Sequence, residues 1–263
     1  MDLGIEGKVA LVTAGSKGLG RACAQDFSRE GCRVAICART QAEVERTAAE
    51  IAADTGNEVH AFVADVSKGE EIDRLMASVR SEVGDPDILV VNAGGPPPGN
   101  FATTPLESFS VGYELTLMSA VRMIHGVVPA MKEQGWGRIV IITSISVKMP
   151  FGGLLLSNVF RSGITAFMKT TATELAPTGI TLNAVQPGII MTDRVVQIGE
   201  KQAAEASIPL QEAYANMTKA IPMGRMGQPP ELAALVAFLA SQRASFITGT
   251  STLVDGGHYP GLL

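Results

Sequence analysis

The chain has 263 residues, of which 46% are hydrophobic, 18% are charged and 28 are glycine. This composition excludes a disordered chain and predicts a compact fold with many tight turns, because so long and apolar a chain can bury a large core. With 21 basic and 26 acidic residues the net charge is −5 and no basic cluster occurs, so we expect neither nucleic acid nor an anionic membrane as a partner.

Short apolar runs alternate with longer helical patterns along almost the whole chain, which is typical of βαβ units in a parallel sheet. The predicted strands are residues 8–13, 33–38, 58–64, 87–92, 138–144, 180–186 and 252–254. The predicted helices are residues 18–30, 41–55, 69–83, 105–134, 154–176 and 230–241. The predicted fold class is α/β: a single Rossmann-type domain over residues 1–263, with a doubly wound parallel sheet of about seven strands and helices on both faces.

Residues 189–226 interrupt this alternation. The segment is too long for an ordinary connection in an α/β fold, and connections of that size usually act as lids or binding segments. We therefore predict a substrate lid here, with one or two short helices within residues 197–219.

The remaining composition points to an intracellular protein without a metal site. The longest nearly apolar stretch, residues 232–240, is far shorter than the ~20 residues of a membrane span, and the first residues lack a signal-peptide pattern, so we expect a cytoplasmic protein. Cys23, Cys32 and Cys37 suit neither a disulfide framework nor a zinc site and are predicted to be small core residues. The three histidines show no metal-ligand spacing.

A glycine-rich turn separates the first predicted strand from the helix that follows. Glycines in such a turn let the backbone approach a pyrophosphate, whose charge the first amide groups of the helix accept. The alternative is a turn that serves tight packing alone. The predicted cofactor-binding residues of the turn are Gly15, Ser16, Lys17, Gly18, Leu19 and Gly20.

The second predicted strand ends at Arg39, without the carboxylate that would bind a free ribose 2′-hydroxyl. A guanidinium at this position suits a 2′-phosphate, so we expect NADP(H) rather than NAD(H) as the cofactor. Lys17 would strengthen that preference, unless it is merely solvated.

The next two strands also end in residues suited to a dinucleotide. Asp65, followed by Val66, places a carboxylate where it can meet the adenine amino group, and the fourth strand ends in Asn92, Ala93 and Gly94. All of these lie at the carboxyl ends of predicted parallel strands, where ligands bind in open α/β sheets.

In these motifs and their order the sequence resembles the short-chain dehydrogenase/reductase family, in its β-ketoacyl carrier-protein reductase-like branch. The resemblance covers essentially the whole chain. Further motifs that carry it are residues 91–94, residues 137–140 leading to Ser144, Asn183, residues 187–192, residues 248–249 and residues 255–257. It implies a nicotinamide cofactor along the carboxyl edge of the sheet, with Pro187, Gly188, Ile190 and Thr192 beside the nicotinamide.

The sequence departs from the family at the catalytic positions. Ser144 matches the serine that orients the substrate carbonyl, but the tyrosine position falls on Ser157, the lysine position on Arg161 and the asparagine position on Thr116. Ser157 and Arg161 share a helix face, and Arg161 can still bind the nicotinamide ribose. An alkyl hydroxyl is a poor acid and arginine keeps its proton, so these four predicted catalytic residues leave the proton donor unassigned.

Two other residues are candidates for that donor. Tyr113 lies one helical turn before Thr116, and Lys148 follows Ser144 in the loop that borders the substrate in the family. The alternative interpretations are that Tyr113 is an aromatic residue of a subunit interface and that Lys148 is a solvated charge of its loop. The proline-rich segment 94–99 is predicted to form a rigid wall of the pocket, or else only to cover the start of a helix.

Two functions remain open at this stage. The first is an NADP(H)-dependent oxidoreductase that acts on a carbonyl/hydroxyl pair of a small molecule or an acyl thioester. The second is a cofactor-binding protein without redox turnover, such as a regulator, an isomerase or a dehydratase. We also expect a homo-oligomer, a tetramer or a dimer, with residues 105–134 and 154–176 in the contact.

Overall fold

A computed structural model of the protein describes residues 1–262, which contain one parallel seven-stranded sheet. The order of the strands is β3-β2-β1-β4-β5-β6-β7. The strands are β1 (Val9–Thr13), β2 (Arg33–Ala38), β3 (Val59–Val63), β4 (Ile88–Val91), β5 (Gly137–Ile142), β6 (Ile180–Pro187) and β7 (Ser251–Val254). The predicted doubly wound α/β fold is confirmed.

Helices follow the strands in the predicted places. They are α1 (Gly18–Arg29), α2 (Gln41–Thr55), α3 (Gly69–Glu82), α4 (Leu106–Gly112), α5 (Ser119–Gln134), α6 (Leu155–Leu175), α7 (Asp193–Ala206), α8 (Leu210–Thr218) and α9 (Pro229–Leu239). The helix predicted over residues 105–134 is divided, because a π-helical segment (Tyr113–Met118) joins α4 to α5. None of the helices within residues 1–262 has both the length and the hydropathy to span a bilayer.

Both faces of the sheet are buried, as the continuous apolar strands predict. In β1, Val9 and Leu11 pack with α3, α5 and α6 on one face, while Ala10 and Val12 pack with α1, α2 and α9 on the other. The three cysteines are buried and free, and burial raises the pKa of the Cys32 and Cys37 thiols to about 12. Their prediction as core residues is confirmed.

The strand order reverses its direction of growth between β1 and β4, which are hydrogen-bonded neighbours. Chains leaving this pair diverge to opposite faces of the sheet and leave a crevice at the carboxyl ends. Thr13 and Asn92 hold the two strand ends together, because Thr13 Oγ1 donates to the Asn92 carbonyl at 2.6 Å and the Asn92 amide lies 2.8 Å from Thr13 Oγ1. The fold therefore fixes the crevice beside the glycine-rich turn.

Candidate cofactor cleft and catalytic end

The glycine-rich turn is shaped by close contacts between its backbone and the neighbouring strands. A Cβ atom on Gly20 would lie 2.3 Å from the Ala14 carbonyl oxygen, and one on Gly15 would lie 2.8 Å from Ile36 Cβ. Gly18 has a φ of +54°, in the left-handed region that favours glycine. Close packing therefore requires Gly15 and Gly20, while Ser16, Lys17, Gly18 and Leu19 border an open space.

That space is a cleft of about 510 Å³ along the carboxyl ends of the strands. The predicted cofactor residues that line it are Ser16, Lys17, Gly18, Leu19, Arg39, Asp65, Val66, Asn92, Ala93, Gly94 and Thr192. Six others lie outside its lining: Gly15, Gly20, Arg161, Pro187, Gly188 and Ile190. The side chain of Ile190 is buried in the core, so only its backbone is available to a ligand.

Lys17 does not stand free in the cleft, contrary to its suggested part in binding a 2′-phosphate. Its Nζ lies 2.5 Å from Glu43 Oε1, and this hydrogen bond is the main cause of a lowered pKa of Glu43. Arg39 is exposed at the same end of the cleft, and no carboxylate among residues 1–262 lies within 4.0 Å of it. Arg39 is thus the guanidinium that remains available to an anion there.

Asp65 is partly committed to its own loop. Its Oδ1 accepts hydrogen bonds from the Ser67 amide at 3.0 Å and the Ser67 hydroxyl at 2.8 Å. Burial alone would raise the pKa of Asp65, but the bonds from Ser67 and the charge of Arg39 outweigh it and lower the pKa. The carboxylate is therefore ionised at neutral pH and keeps Oδ2 for a ligand.

The end of β5 brings Ser144 and Arg161 to the same region. Ser144 Oγ accepts a hydrogen bond from the Ser146 amide at 3.1 Å. Arg161 Nη1 donates to the carbonyls of Ile142 at 3.0 Å and Thr143 at 2.8 Å. Burial, followed by the charge of Arg194, lowers the pKa of Arg161 to about 10, which still leaves the guanidinium protonated at neutral pH.

Ser157 and Thr116 make no side-chain hydrogen bond to any residue of the described chain. Ser157 lies in the first turn of α6, and Thr116 is buried in the π-helical segment with an unpartnered Oγ1. None of the four predicted catalytic residues lines the 510 Å³ cleft. The cleft therefore corresponds to the cofactor end of the predicted site, and these residues lie beyond it.

The two other candidate proton donors are engaged elsewhere. The Tyr113 ring is 41% exposed and packs against Phe160, with ring centroids 6.3 Å apart, and Tyr113 does not line the cleft. Lys148 Nζ lies 5.5 Å from the centroid of the Tyr259 ring. Both residues stay candidates for the proton donor.

The segment after β4 forms part of the cleft wall, but only through its glycines. Gly94 and Gly95 line the cleft, whereas the three prolines that follow do not. Gly99 anchors the segment to the start of α6, since its amide donates to the Gly153 carbonyl at 2.8 Å and its carbonyl accepts from the Leu155 amide at 3.1 Å.

Comparison with known proteins agrees with this architecture. A family model described as enoyl-(acyl carrier protein) reductase matches residues 13–259. Dehydrogenase/reductase SDR family member 4 of Oryctolagus cuniculus is 35% identical over 251 residues, which cover 95% of this chain and 93% of that protein. The 3-oxoacyl-(acyl-carrier-protein) reductase FabG of Escherichia coli (strain K12) is 34% identical over 257 residues, 98% of this chain and 99% of its own.

A solved structure is similar over its full length. L-sorbose reductase from Gluconobacter frateurii, crystallised with NADPH and L-sorbose, superposes with a TM-score of 0.96 at 33% identity and covers 100% of both chains. The chain belongs to the short-chain dehydrogenase/reductase family. Members of this family are oxidoreductases that use NAD(P)H.

The cleft fits such a cofactor. At the start of α1 the backbone amides have no side-chain cap, and Gly18 and Gly20 carry no Cβ atom, so a diphosphate can approach the amide groups. Arg39 and Asp65 stand at the end of the cleft that belongs to β2 and β3. The residues present therefore suit a dinucleotide.

The sequence interpretation missed three charged residues of the cleft: Glu43, Asp193 and Arg194. Arg194, in the first turn of α7, lines the cleft together with Gly95, and its Nη1 lies 3.5 Å from the Gly95 carbonyl oxygen. The signal for Arg194 was its position two residues after Thr192, a residue that the family resemblance already placed beside the nicotinamide.

Proposed function

We propose that the protein is an NADP(H)-dependent oxidoreductase that acts on a carbonyl/hydroxyl pair, 3-oxoacyl compounds included, through an active site with atypical catalytic residues. The observation that carries this proposal is the cleft at the carboxyl edge of the sheet, where the glycine-rich turn and the unpaired Arg39 lie together. The relatives named above support it, since the L-sorbose reductase structure holds NADPH.

The preference for NADP(H) is proposed from the charge at the end of β2. Arg39 can pair with a 2′-phosphate, and the residue before it is Ala38, so no acidic side chain at position 38 repels that phosphate. Glu43 lines the same end of the cleft, but Lys17 neutralises it.

Arg39→Asp should reverse the order of affinities. We expect NADPH to bind the unmodified chain more tightly than NADH and the variant to bind NADH more tightly, as measured by calorimetry. The matched control is Arg74→Met, because Arg74 is exposed on α3 and does not line the cleft. Equal affinities of the unmodified chain for the two cofactors would contradict the proposal.

We propose separate roles for the residues at the catalytic end. When bound, the cofactor supplies or accepts the hydride. Ser144 orients the substrate oxygen with its hydroxyl proton, because its Oγ already accepts from Ser146. The protonated Arg161 binds ribose hydroxyls with the nitrogens that its bonds to Ile142 and Thr143 leave free. Ser157 and Thr116 border the reacting groups, and an unassigned group or water moves the proton.

Restoring a phenol and an ammonium tests this arrangement. Because general acid catalysis contributes about 10²–10⁴-fold, we expect Ser157→Tyr with Arg161→Lys to raise turnover of a simple ketone with NADPH substantially, with cofactor affinity changed only a few-fold. Ser157→Tyr alone should help less, since arginine is bulkier and directed differently. A folded double variant that binds NADPH without any gain would favour a function without redox turnover.

That second function has its own supporting observation. Arg161 is protonated at neutral pH, and Ser157 offers only an alkyl hydroxyl, so neither group supplies a proton near pH 7. A regulator that binds the cofactor without turnover would need no such donor, whereas an isomerase or a dehydratase would have to move its proton with another group. Consumption of NADPH with any member of a panel of ketones and β-ketoacyl thioesters would decide for the oxidoreductase.

The wider organisation is also part of the proposal. Residues 1–263 are proposed to form one domain with residues 189–226 as its substrate lid. Two short helices occur in that segment, α7 and α8, and the first of them reaches the cleft at Arg194. We further propose a cytoplasmic protein whose partners are small-molecule or acyl-thioester substrates and copies of itself.

A further inference from the structure

The cations around the cleft differ in whether an acid neutralises them. Lys17, at the glycine-rich turn, is paired with Glu43. Arg194 has no carboxylate within 4.0 Å in the part of the chain that the structure describes, although Asp193 precedes it and also lines the cleft. The lysine closest in sequence to the expected diphosphate site is thus neutralised, whereas an arginine from a distant segment is not.

The backbone brings that arginine close to the turn that would hold a diphosphate. Thr192, two residues before Arg194, packs on the turn: a Cβ atom on Gly18 would lie 3.2 Å from Thr192 Cγ2. The start of α7 therefore lies against the start of α1. Both helix starts present unpaired backbone amides and a positive dipole end to the cleft.

The guanidinium itself reaches across to the opposite wall. A Cβ atom on Gly95 would lie 2.9 Å from Arg194 Cζ, so the guanidinium rests on the backbone of the segment after β4. The charge of Arg194 also contributes to the lowered pKa of Arg161, after the larger effect of burial. Arg194 lines the cleft and Arg161 lies beyond it, yet their charges interact and neither has a carboxylate within 4.0 Å among residues 1–262. An anion between them would stabilise this arrangement.

We infer that Arg194 is a binding residue for the diphosphate of the cofactor and closes over it from α7, with Gly95 as the bare surface on which its guanidinium rests. This inference rests on the proposed function. The planar fork of arginine can give two parallel hydrogen bonds to phosphate oxygens, which a lysine cannot. A glycine is required beneath it because any side chain at position 95 would displace the guanidinium.

Fragments of the cofactor separate this role from others. NADPH and 2′-phospho-ADP-ribose both contain the diphosphate, whereas adenosine 2′,5′-bisphosphate contains the 2′-phosphate and only a monophosphate on the 5′ side. We expect Arg194→Met to weaken the binding of NADPH and of 2′-phospho-ADP-ribose by about tenfold, the effect of a lost charge-assisted hydrogen bond. The binding of adenosine 2′,5′-bisphosphate should weaken by less than about threefold. The affinities of Arg194→Lys should lie between those of the unmodified chain and those of Arg194→Met, since lysine keeps the charge and loses the planar fork.

Two further variants serve as controls. Arg74→Met removes an exposed arginine outside the cleft and should leave all three affinities unchanged. Gly95→Ala should displace the guanidinium and reproduce the selective loss, and Gly95→Ala with Arg194→Met should be no weaker than the weaker single variant, because both changes remove the same contact. Thermal unfolding of each variant checks that the fold is intact.

Several results would overturn the inference. One is an unchanged affinity of Arg194→Met for 2′-phospho-ADP-ribose. A second is a loss of affinity restricted to NADPH, which would place Arg194 at the nicotinamide. A third is a change confined to the KM for the substrate, which would place Arg194 at an anionic group of the substrate. Failure of the unmodified chain to bind any of the three ligands would instead refute the proposed cofactor function itself.

Discussion

At the scale of single residues, the glycine-rich turn contains an alanine in a conformation that suits glycine. Ala14 has a φ of +46°, and its carbonyl is in close contact with Gly20. The family resemblance places a glycine at this position. Relief of the left-handed strain gains about 1–2 kcal/mol, and the extra freedom of glycine in the unfolded chain costs about 0.5–1 kcal/mol.

We therefore expect Ala14→Gly to stabilise the fold by about 0.5–1 kcal/mol, which would raise Tm by a few degrees. Ser207→Gly is the matched control. Ser207 also has a left-handed backbone, with a φ of +55°, but it lies at the end of α7, away from the turn. Ala14→Val should destabilise, since a β-branched residue fits this region poorly. A lower Tm for Ala14→Gly, measured by calorimetry, would contradict the strain argument.

Single residues also mark the limit of prediction from sequence. Arg39, Asp65 and Asn92 could be assigned to the cleft because each lies at the carboxyl end of a predicted strand, and parallel strands end at one edge. The Lys17–Glu43 pair and the Arg194–Gly95 contact join residues 26 and 99 positions apart. No local pattern encodes such contacts, since they depend on how two separate segments pack.

At the scale of elements, the strands and helices follow from hydrophobic patterning, whereas their irregularities do not. The strand at residues 33–38 and the helix at residues 41–55 were predicted with their observed bounds. The π-helical segment was not, because the apolar positions of residues 105–134 fit one continuous helix. Tyr113 is the first residue of this segment, and its ring packs against Phe160 of α6.

The start of α9 shows an element held by one carboxylate. Glu231 accepts from the Gln228 amide at 2.7 Å and from both terminal nitrogens of Arg225, at 2.9 and 2.7 Å. The bonds from Arg225, followed by the one from Gln228, lower the pKa of Glu231 from its ordinary value of 4.5 to about 2. Its contribution to stability is therefore present above pH 4.5 and lost as the pH falls towards 2.

We expect Glu231→Gln to lower the denaturation midpoint in urea at pH 7, and the difference from the unmodified chain to shrink between pH 4.5 and pH 2. Glu174→Gln is the control, because Glu174 is exposed on α6 and has no ion pair within residues 1–262. It should leave the midpoint unchanged. A difference for Glu231→Gln that stays constant over this pH range would show that the carboxylate charge does not hold the helix start.

At the scale of the whole molecule, apolar side chains remain exposed on the face formed by α4 and the start of α6. Phe101 is 91% exposed, Leu106 82%, Val159 46% and Tyr113 41%. The opposite faces of α5 and α6 are buried against the sheet, so covering the sheet does not account for this patch. Several large apolar side chains exposed on neighbouring elements are typical of protein contacts, and a second copy of the chain would cover them symmetrically.

We therefore predict a homo-oligomer, a dimer or a tetramer, whose contact includes this face. Leu106→Glu should shift the sedimenting species towards the 27.5 kDa monomer, because a carboxylate buried in the contact would lose its hydration without a partner. Val63→Glu should leave the assembly unchanged, since Val63 is 55% exposed at the end of β3, on the far side of the sheet. The unmodified chain sedimenting as a 27.5 kDa species at micromolar concentration would rule the oligomer out. An assembly that resists Leu106→Glu and dissociates with Val63→Glu would instead move the contact to the β3 edge of the sheet.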